Sequence, residues 1–325
     1  MMTAEEYEES LRQLNLKVYM FGERVENVVD NPIIRPSMNA VAKTYELAHL
    51  PEHEDLMTAV SHITQKRINR FTHIHQNIDD LIKKSRMGRL LGRETGCCFQ
   101  RCVGMDTLNA LSIVTYNTDR KYGTQYYPRF LKYLEYVQEK DLVVDGAMTD
   151  PKGHRGLPPH QQPDLDAFLR VVEERKDGIV VRGAKAHQTG AVNSHEIIAM
   201  PTLSMRQEDA DYAVCFALPS DAEGITYIMG RQSCDTRKLE GGSLDQGNVR
   251  FGGHEALVVF DNVFVPWDRV FMCREHDFAG QLVEIFAAYR RQSYACKVGV
   301  GDVLIGAAQT AAEYDLYYAV LCRSV

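Results

Sequence analysis

Apolar residues recur at helical intervals over the first 140 positions and again after Asp277, and between these stretches the pattern changes to short β-branched runs. Residues 3 to about 140 therefore predict helices. Thr3-Ala-Glu-Glu6 is a capping-box pattern ahead of a polar amphipathic helix. Asn31-Pro32 and Arg35-Pro36 interrupt the chain, and Ser37 is placed to cap the helix that follows. From Asn77 to about Asn117 the spacing is helical, with breaks expected at Gly92 and Gly96. Pro128 opens a further helix with Phe130, Leu131, Leu134 and Val137 on one face.

From about Leu142 to Val265 the chain is rich in β-branched residues, glycine and turns. Strands are expected at Gly178–Arg182, Tyr212–Phe216, Ile225–Ile228 and Ala256–Phe260, spaced as in a small β-barrel or sandwich. Phe278 to Tyr289 is again amphipathic, and Gly299 to Tyr318 is rich in small residues that let helices approach closely. Three segments follow: 1–141 helical, 142–276 β, and 277–325 the start of a helical bundle. A single long helix with a buried face does not stabilise itself, so the last segment is expected to be cut short or to need a partner chain.

Composition narrows the function classes. The 325 residues are 45% apolar and 25% charged, ordinary for a globular protein. The net charge of −7 is spread through the chain, which argues against a nucleic-acid surface. The acidic start Met1-Met-Thr-Ala-Glu-Glu is no secretory signal, and no run of about 18 apolar residues predicts a membrane span. Eight cysteines without a signal read as reduced thiols, and a cytoplasmic location is expected.

Two stretches carry the chemistry. Cys98 and Cys102 stand four apart on an expected helix, hence on one face. Tyr289-Arg-Arg-Gln-Ser-Tyr-Ala-Cys-Lys297 adds Tyr294, Cys296 and Lys297. Cys97, Cys215, Cys234, Cys273 and Cys322 read as ordinary thiols, and His73, His75, His195 and His254 as surface or structural residues. No Gly-x-Gly-x-x-Gly follows a strand, so a Rossmann nucleotide site is not expected.

Five segments in order carry a resemblance: Ala147-Met-Thr-Asp-Pro-Lys-Gly153, Gly183-Ala-Lys-Ala-His-Gln-Thr-Gly190, Gly230-Arg-Gln-Ser-Cys-Asp-Thr-Arg237, Phe251-Gly-Gly-His-Glu-Ala-Leu257 and Asp261-Asn-Val-Phe-Val-Pro266. They resemble the 4-hydroxyphenylacetate 3-hydroxylase family of the acyl-CoA dehydrogenase-like superfamily, and within it the branch of 4-hydroxybutyryl-CoA dehydratases. The resemblance runs to about Ala312, and the family's chains continue beyond Val325. It implies an α+β fold of N-terminal helical domain, middle β-barrel domain and C-terminal helical bundle. It also implies FAD, a [4Fe-4S] cluster, a small acyl-CoA substrate and a homotetramer. The flavin would lie against Thr149, Asp150, Gly153, His187, Gln188, Thr189 and Gly190. Thr149 and Thr189 offer hydroxyl donors, and glycines allow close backbone approach. Cys98, Cys102 and Cys296 match the cluster cysteines, and thiolates suit that role. Glu255, Tyr294 and Lys297 match catalytic positions: a general acid or base, a donor to a substrate oxygen and an anion holder.

One position departs from the family. Arg290 stands where the family has a histidine that binds iron, and one small residue is missing before Cys296. A guanidinium has no lone pair to give iron. Arg290 and Cys296 are six apart, so on a regular helix they would face different ways, while Tyr289 is seven from Cys296 and could stand in. Three outcomes stay open: no cluster, a cluster on three cysteines, or a local error in the sequence. The function expected is a FAD-dependent dehydratase or double-bond isomerase of a short acyl-CoA. The alternatives are a cluster-free flavin-dependent aromatic hydroxylase like 4-hydroxyphenylacetate 3-monooxygenase, or a fragment that carries out no reaction.

Overall fold

The computed structural model describes residues 1–231 and 248–314. The helices are α1 Ala4–Arg12, α2 Arg35–Ala48, α3 Glu54–Met57, α4 Ile78–Thr95, α5 Cys102–Tyr122, α6 Tyr126–Glu139, α7 His276–Ser293 and α8 Ala295–Tyr314. The strands are β1 Val18–Met20, β2 Glu23–Val25, β3 Thr58–Val60, β4 Arg67–Asn69, β5 Val144–Ala147, β6 Arg170–Glu174, β7 Gly178–Thr189, β8 Glu196–Ala199, β9 Val214–Pro219, β10 Ile225–Met229, β11 Glu255–Pro266 and β12 Val270–Cys273. Cys234 and Cys322, most of the Gly230–Arg237 segment, and the expected helix beyond 314 lie outside the described residues.

Four strands fall where the alternation places them. They do not close into a barrel. One sheet runs β2-β1-β10-β11-β7-β6 and a second runs β12-β9-β8-β5, and both keep open edges. The sheets share one apolar core, with Ile197, Phe216 and Leu218 of the smaller sheet among Ile179, Val181, Val258 and Phe260 of the larger. The Phe216 and Phe260 rings meet edge to face at 5.9 Å. A sandwich buries these inner faces without the shear that closure requires.

The first 140 residues are not purely helical. β1 and β2 form a hairpin whose two-residue loop, Phe21-Gly22, has both φ positive (53° and 87°), as a type I′ turn needs. β1 also pairs parallel with β10, so this hairpin extends the larger sheet. Each strand has three residues, too short for alternation to show. The capping box at Thr3 forms as expected. Ser37 does not cap α2: Ile34 is the cap residue, and the Ser37 hydroxyl bonds back to the Ile34 carbonyl inside the first turn. α4 is capped by the Asn77 side chain and ends at Gly96 in the left-handed region (φ 63°). Gly92 does not break it. A side chain there would sit 2.2 Å from the Cys296 carbonyl, so Gly92 is the point where α8 lies against α4. No helix among the described residues is long and apolar enough to cross a membrane.

Candidate active site

The paired ends of β7 and β11, the loop before α5 and the α7–α8 junction enclose a cavity of about 550 Å³. Thr189, Gly253, His254 and Glu255 form its strand wall, with Arg231 beside them. Cys98, Cys102, Arg290, Tyr294 and Lys297 form its helix wall, and Gln100 and Val103 close the base. Gly190 (φ 86°) lets the walls touch, since a Cβ there would stand 2.9 Å from Gln100 Cβ.

Gln100 was not singled out by the sequence, yet it ties the base together. Its Nε2 donates to the Ser37 and Gly252 carbonyls (3.2 and 3.0 Å), and Asn193 Nδ2 donates to its Oε1 (3.1 Å). With that amide oriented, Asn193 Oδ1 accepts from His254 Nε2 at 3.0 Å. Burial holds the His254 pKa down at about 3, so the ring is neutral. Its other nitrogen, Nδ1, is then a buried lone pair with no hydrogen-bond partner.

The expected flavin positions divide in two. Asp150 is committed within the protein: it pairs with buried Lys185 (2.6 Å) and accepts from the Thr202 hydroxyl. Gln188 is also committed, accepting from the Met148 N–H at 3.0 Å and donating to the Thr149 carbonyl at 3.0 Å. Gly153 (φ 48°) is pressed against Gln162, whose Oε1 would lie 2.5 Å from an added Cβ. These three shape the turn that presents Thr149. His187 (φ 58°) and Thr189 instead face Glu255: His187 Nδ1 lies 3.3 Å from one carboxylate oxygen, and Thr189 Oγ1 donates to the other at 3.2 Å. Glu255 is half exposed. Of the expected flavin positions Thr189 lines the cavity and Gly190 adjoins it at Gln100, while Thr149 is not among the lining residues; the cavity's size and the Thr189 hydroxyl suit the edge of a flavin ring.

The helix wall departs from expectation. Cys98 is not on a helix; it lies in the loop before α5, and Cys102 is the first residue of that helix. The thiols still meet, because the loop folds back at Gln100 (φ 63°). The hydrogen bond from Cys102 lowers the Cys98 pKa to about 7, while the same bond and burial push Cys102 up. Arg290 and Cys296 do not face apart. α7 stops at Ser293 and α8 starts at Ala295, and this break turns both residues toward Cys102. Arg290 Nη1 lies 2.7 Å from Cys102 Sγ. Tyr289 does not reach the cysteines; its ring stacks on His75 at 5.6 Å, with Lys84 Nζ 5.2 Å from its centre. Tyr294 and Lys297 are exposed at the cavity mouth. Among the described residues no group of three or more His, Cys, Asp or Glu could hold a metal ion. The cluster does not fit the residues present, because a guanidinium occupies the ligand shell of Cys102.

The family model described as 4-hydroxyphenylacetate 3-hydroxylase N terminal matches residues 3–272. Over 317 residues the chain is 65% identical to a 4-hydroxybutyryl-CoA dehydratase/vinylacetyl-CoA-Δ-isomerase of Clostridium aminobutyricum, covering 97% of this chain and 65% of that one. An oxygen-tolerant archaeal 4-hydroxybutyryl-CoA dehydratase from N. maritimus superposes with a TM-score of 0.93 at 54% identity, covering 96% and 62%. The oxygenase component of 4-hydroxyphenylacetate 3-monooxygenase, complexed with FAD, superposes at 0.79 with 26% identity, covering 96% and 64%. The chain thus spans just under two thirds of the length of these relatives.

Proposed function

Because the chain belongs to the 4-hydroxyphenylacetate 3-hydroxylase family, we propose that its cavity is a flavin-dependent site for a short acyl-CoA, of the 4-hydroxybutyryl-CoA dehydratase/vinylacetyl-CoA-Δ-isomerase kind. The observation that carries this reading is the meeting of Glu255, Tyr294 and Lys297 with Thr189 and His254 in one cavity. FAD, when bound, supplies electron transfer to and from the acyl chain. The Thr189 hydroxyl on the cavity wall orients it, with Thr149 as a second donor from the neighbouring turn. The Glu255 carboxylate takes the proton beside the thioester carbonyl and returns it two carbons away as the double bond moves. The Tyr294 hydroxyl donates to the thioester oxygen, and the Lys297 ammonium steadies the negative charge that develops there.

Of the two reactions of the relatives, this cavity supports isomerisation further. Moving a double bond needs only proton transfer at Glu255, whereas loss of a hydroxyl needs an electrophile where Arg290 stands. The aromatic hydroxylase reading is less well supported. Tyr294 supplies the only phenyl-type ring among the described lining residues, a poor match to an aromatic substrate. The three-segment division at 141 and 276 rests on the sequence pattern, the cytoplasmic location on eight cysteines without a signal, and homo-oligomeric assembly on the resemblance; light scattering tests the assembly. The test of function is to load purified protein with FAD and follow conjugation of vinylacetyl-CoA by ultraviolet absorbance. Retained flavin and an isomerised product are expected. Protein that keeps no flavin, or that hydroxylates 4-hydroxyphenylacetate instead, would sink the reading.

A further inference from the structure

We propose that the Arg290 guanidinium is the resident cation of the three-cysteine centre, fixed by a buried network, in the place that an iron–sulfur cluster would need. A thiolate-bound metal such as zinc sits about 2.3 Å from sulfur. Arg290 Nη1 already stands 2.7 Å from Cys102 Sγ, so metal and guanidinium compete for one sulfur.

Arg290 is not a loose side chain that a cluster could displace. It lies one turn before Ser293 on α7, and both face Asp106 of α5. Ser293 Oγ donates to Asp106 Oδ1 at 2.8 Å, and Lys84 Nζ of α4 donates to the same oxygen at 2.6 Å. Lys84 also donates to the Tyr289 carbonyl at 2.9 Å, which ties α4 to α7 directly. The Lys84 and Asp106 side chains are fully buried. Asp106 Oδ2 makes no hydrogen bond, and Arg290 Nη1, at 3.7 Å, is its partner in charge. Removing the guanidinium would leave that oxygen buried and uncompensated. On the other side the Tyr294 ring centre lies 5.0 Å from Arg290 Cζ. Burial works against the charge on Arg290, but Cys102 and Asp106 outweigh it and raise its pKa. The shortened spacing before Cys296 belongs to the same arrangement, because the break at Tyr294 turns Arg290 inward.

The proposal is independent of the flavin, and one experiment separates the two. Purified wild type, Arg290→Ala, Arg290→His and Cys102→Ser are incubated anaerobically with ferrous iron and sulfide, desalted, and assayed for iron, sulfide and retained FAD. Wild type is expected to keep no more iron than Cys102→Ser. Both Arg290 variants should gain iron, and adding Cys102→Ser should remove the gain. Iron in wild type that Cys102→Ser abolishes overturns the proposal. So does the absence of any gain in Arg290 variants whose circular dichroism matches wild type. The wild-type comparison decides alone if those variants misfold. FAD retention in the same samples tests the proposed function without reference to Arg290.

Discussion

The two walls of the cavity are built in opposite ways. The strand wall takes its shape from backbone pairing, and apart from buried His254 its carboxylate side is open to solvent: half-exposed Glu255 shares its oxygens with His187 and Thr189 at ordinary distances. The helix wall takes its shape from buried charge: Lys84, Asp106, Ser293 and Arg290 lock three helices around Cys102. The first wall can exchange its internal hydrogen bonds for bonds to a ligand at little cost. The second cannot, because each group that leaves strands another in a medium that does not solvate it. A cofactor can therefore be accepted at one wall and refused at the other, although both descend from the same family pattern.

That contrast breaks first at Asp106. Asp106→Ala leaves Lys84 buried without its carboxylate and should cost roughly 3–5 kcal/mol in urea unfolding. A loss no larger than that of an exposed carboxylate would show that the network is not the lock. Gly92→Ala should cost about 1–3 kcal/mol by forcing α8 off α4 at Cys296. It should lower the melting temperature and leave the distant strand wall intact. On the strand wall, burial depresses His254 to about 3, below the ordinary unfolded value of about 6.5. The unfolded chain therefore binds a proton that the folded chain refuses between those values. Stability from the neutral ring is complete above about pH 6.5 and is lost as pH falls toward 3. Replacing His254 with Asn should flatten that decline by about 1.4 kcal/mol per pH unit. Thr189→Val should weaken FAD binding by about 1 kcal/mol, roughly fivefold in a fluorescence titration. Glu255→Gln should change stability by less than about 0.5 kcal/mol, while lowering isomerisation by about 100-fold or more. Equal activity would remove Glu255 from the proton path.

The sequence made much of the strand wall readable, because its strands are long and its turns are marked by glycine and threonine. Thr189 and Glu255 themselves were found through the motifs that resemble the family. The choice of open sandwich over barrel was not legible, since alternation defines a strand's faces and says nothing about whether sheet edges meet. The hairpin at 18–25 was missed because three-residue strands carry no period. On the helix wall the cysteines were legible by resemblance, but their convergence was not. A spacing rule assumes one continuous helix, and the chain leaves helix at two places, before Cys102 and at Tyr294. Asp106 and Lys84 carried no signal at all, because a charged residue in a helical pattern looks solvated until a partner from another helix buries it.

In the proposed site one wall accepts flavin while the other excludes iron. The visible absorption spectrum of the protein after anaerobic loading with FAD, ferrous iron and sulfide tests both at once. Resolved flavin bands at about one flavin per chain are expected, without the broad brown absorbance of an iron–sulfur centre. A spectrum dominated by that absorbance, with about four irons per chain that depend on Cys102, would contradict the proposed exclusion.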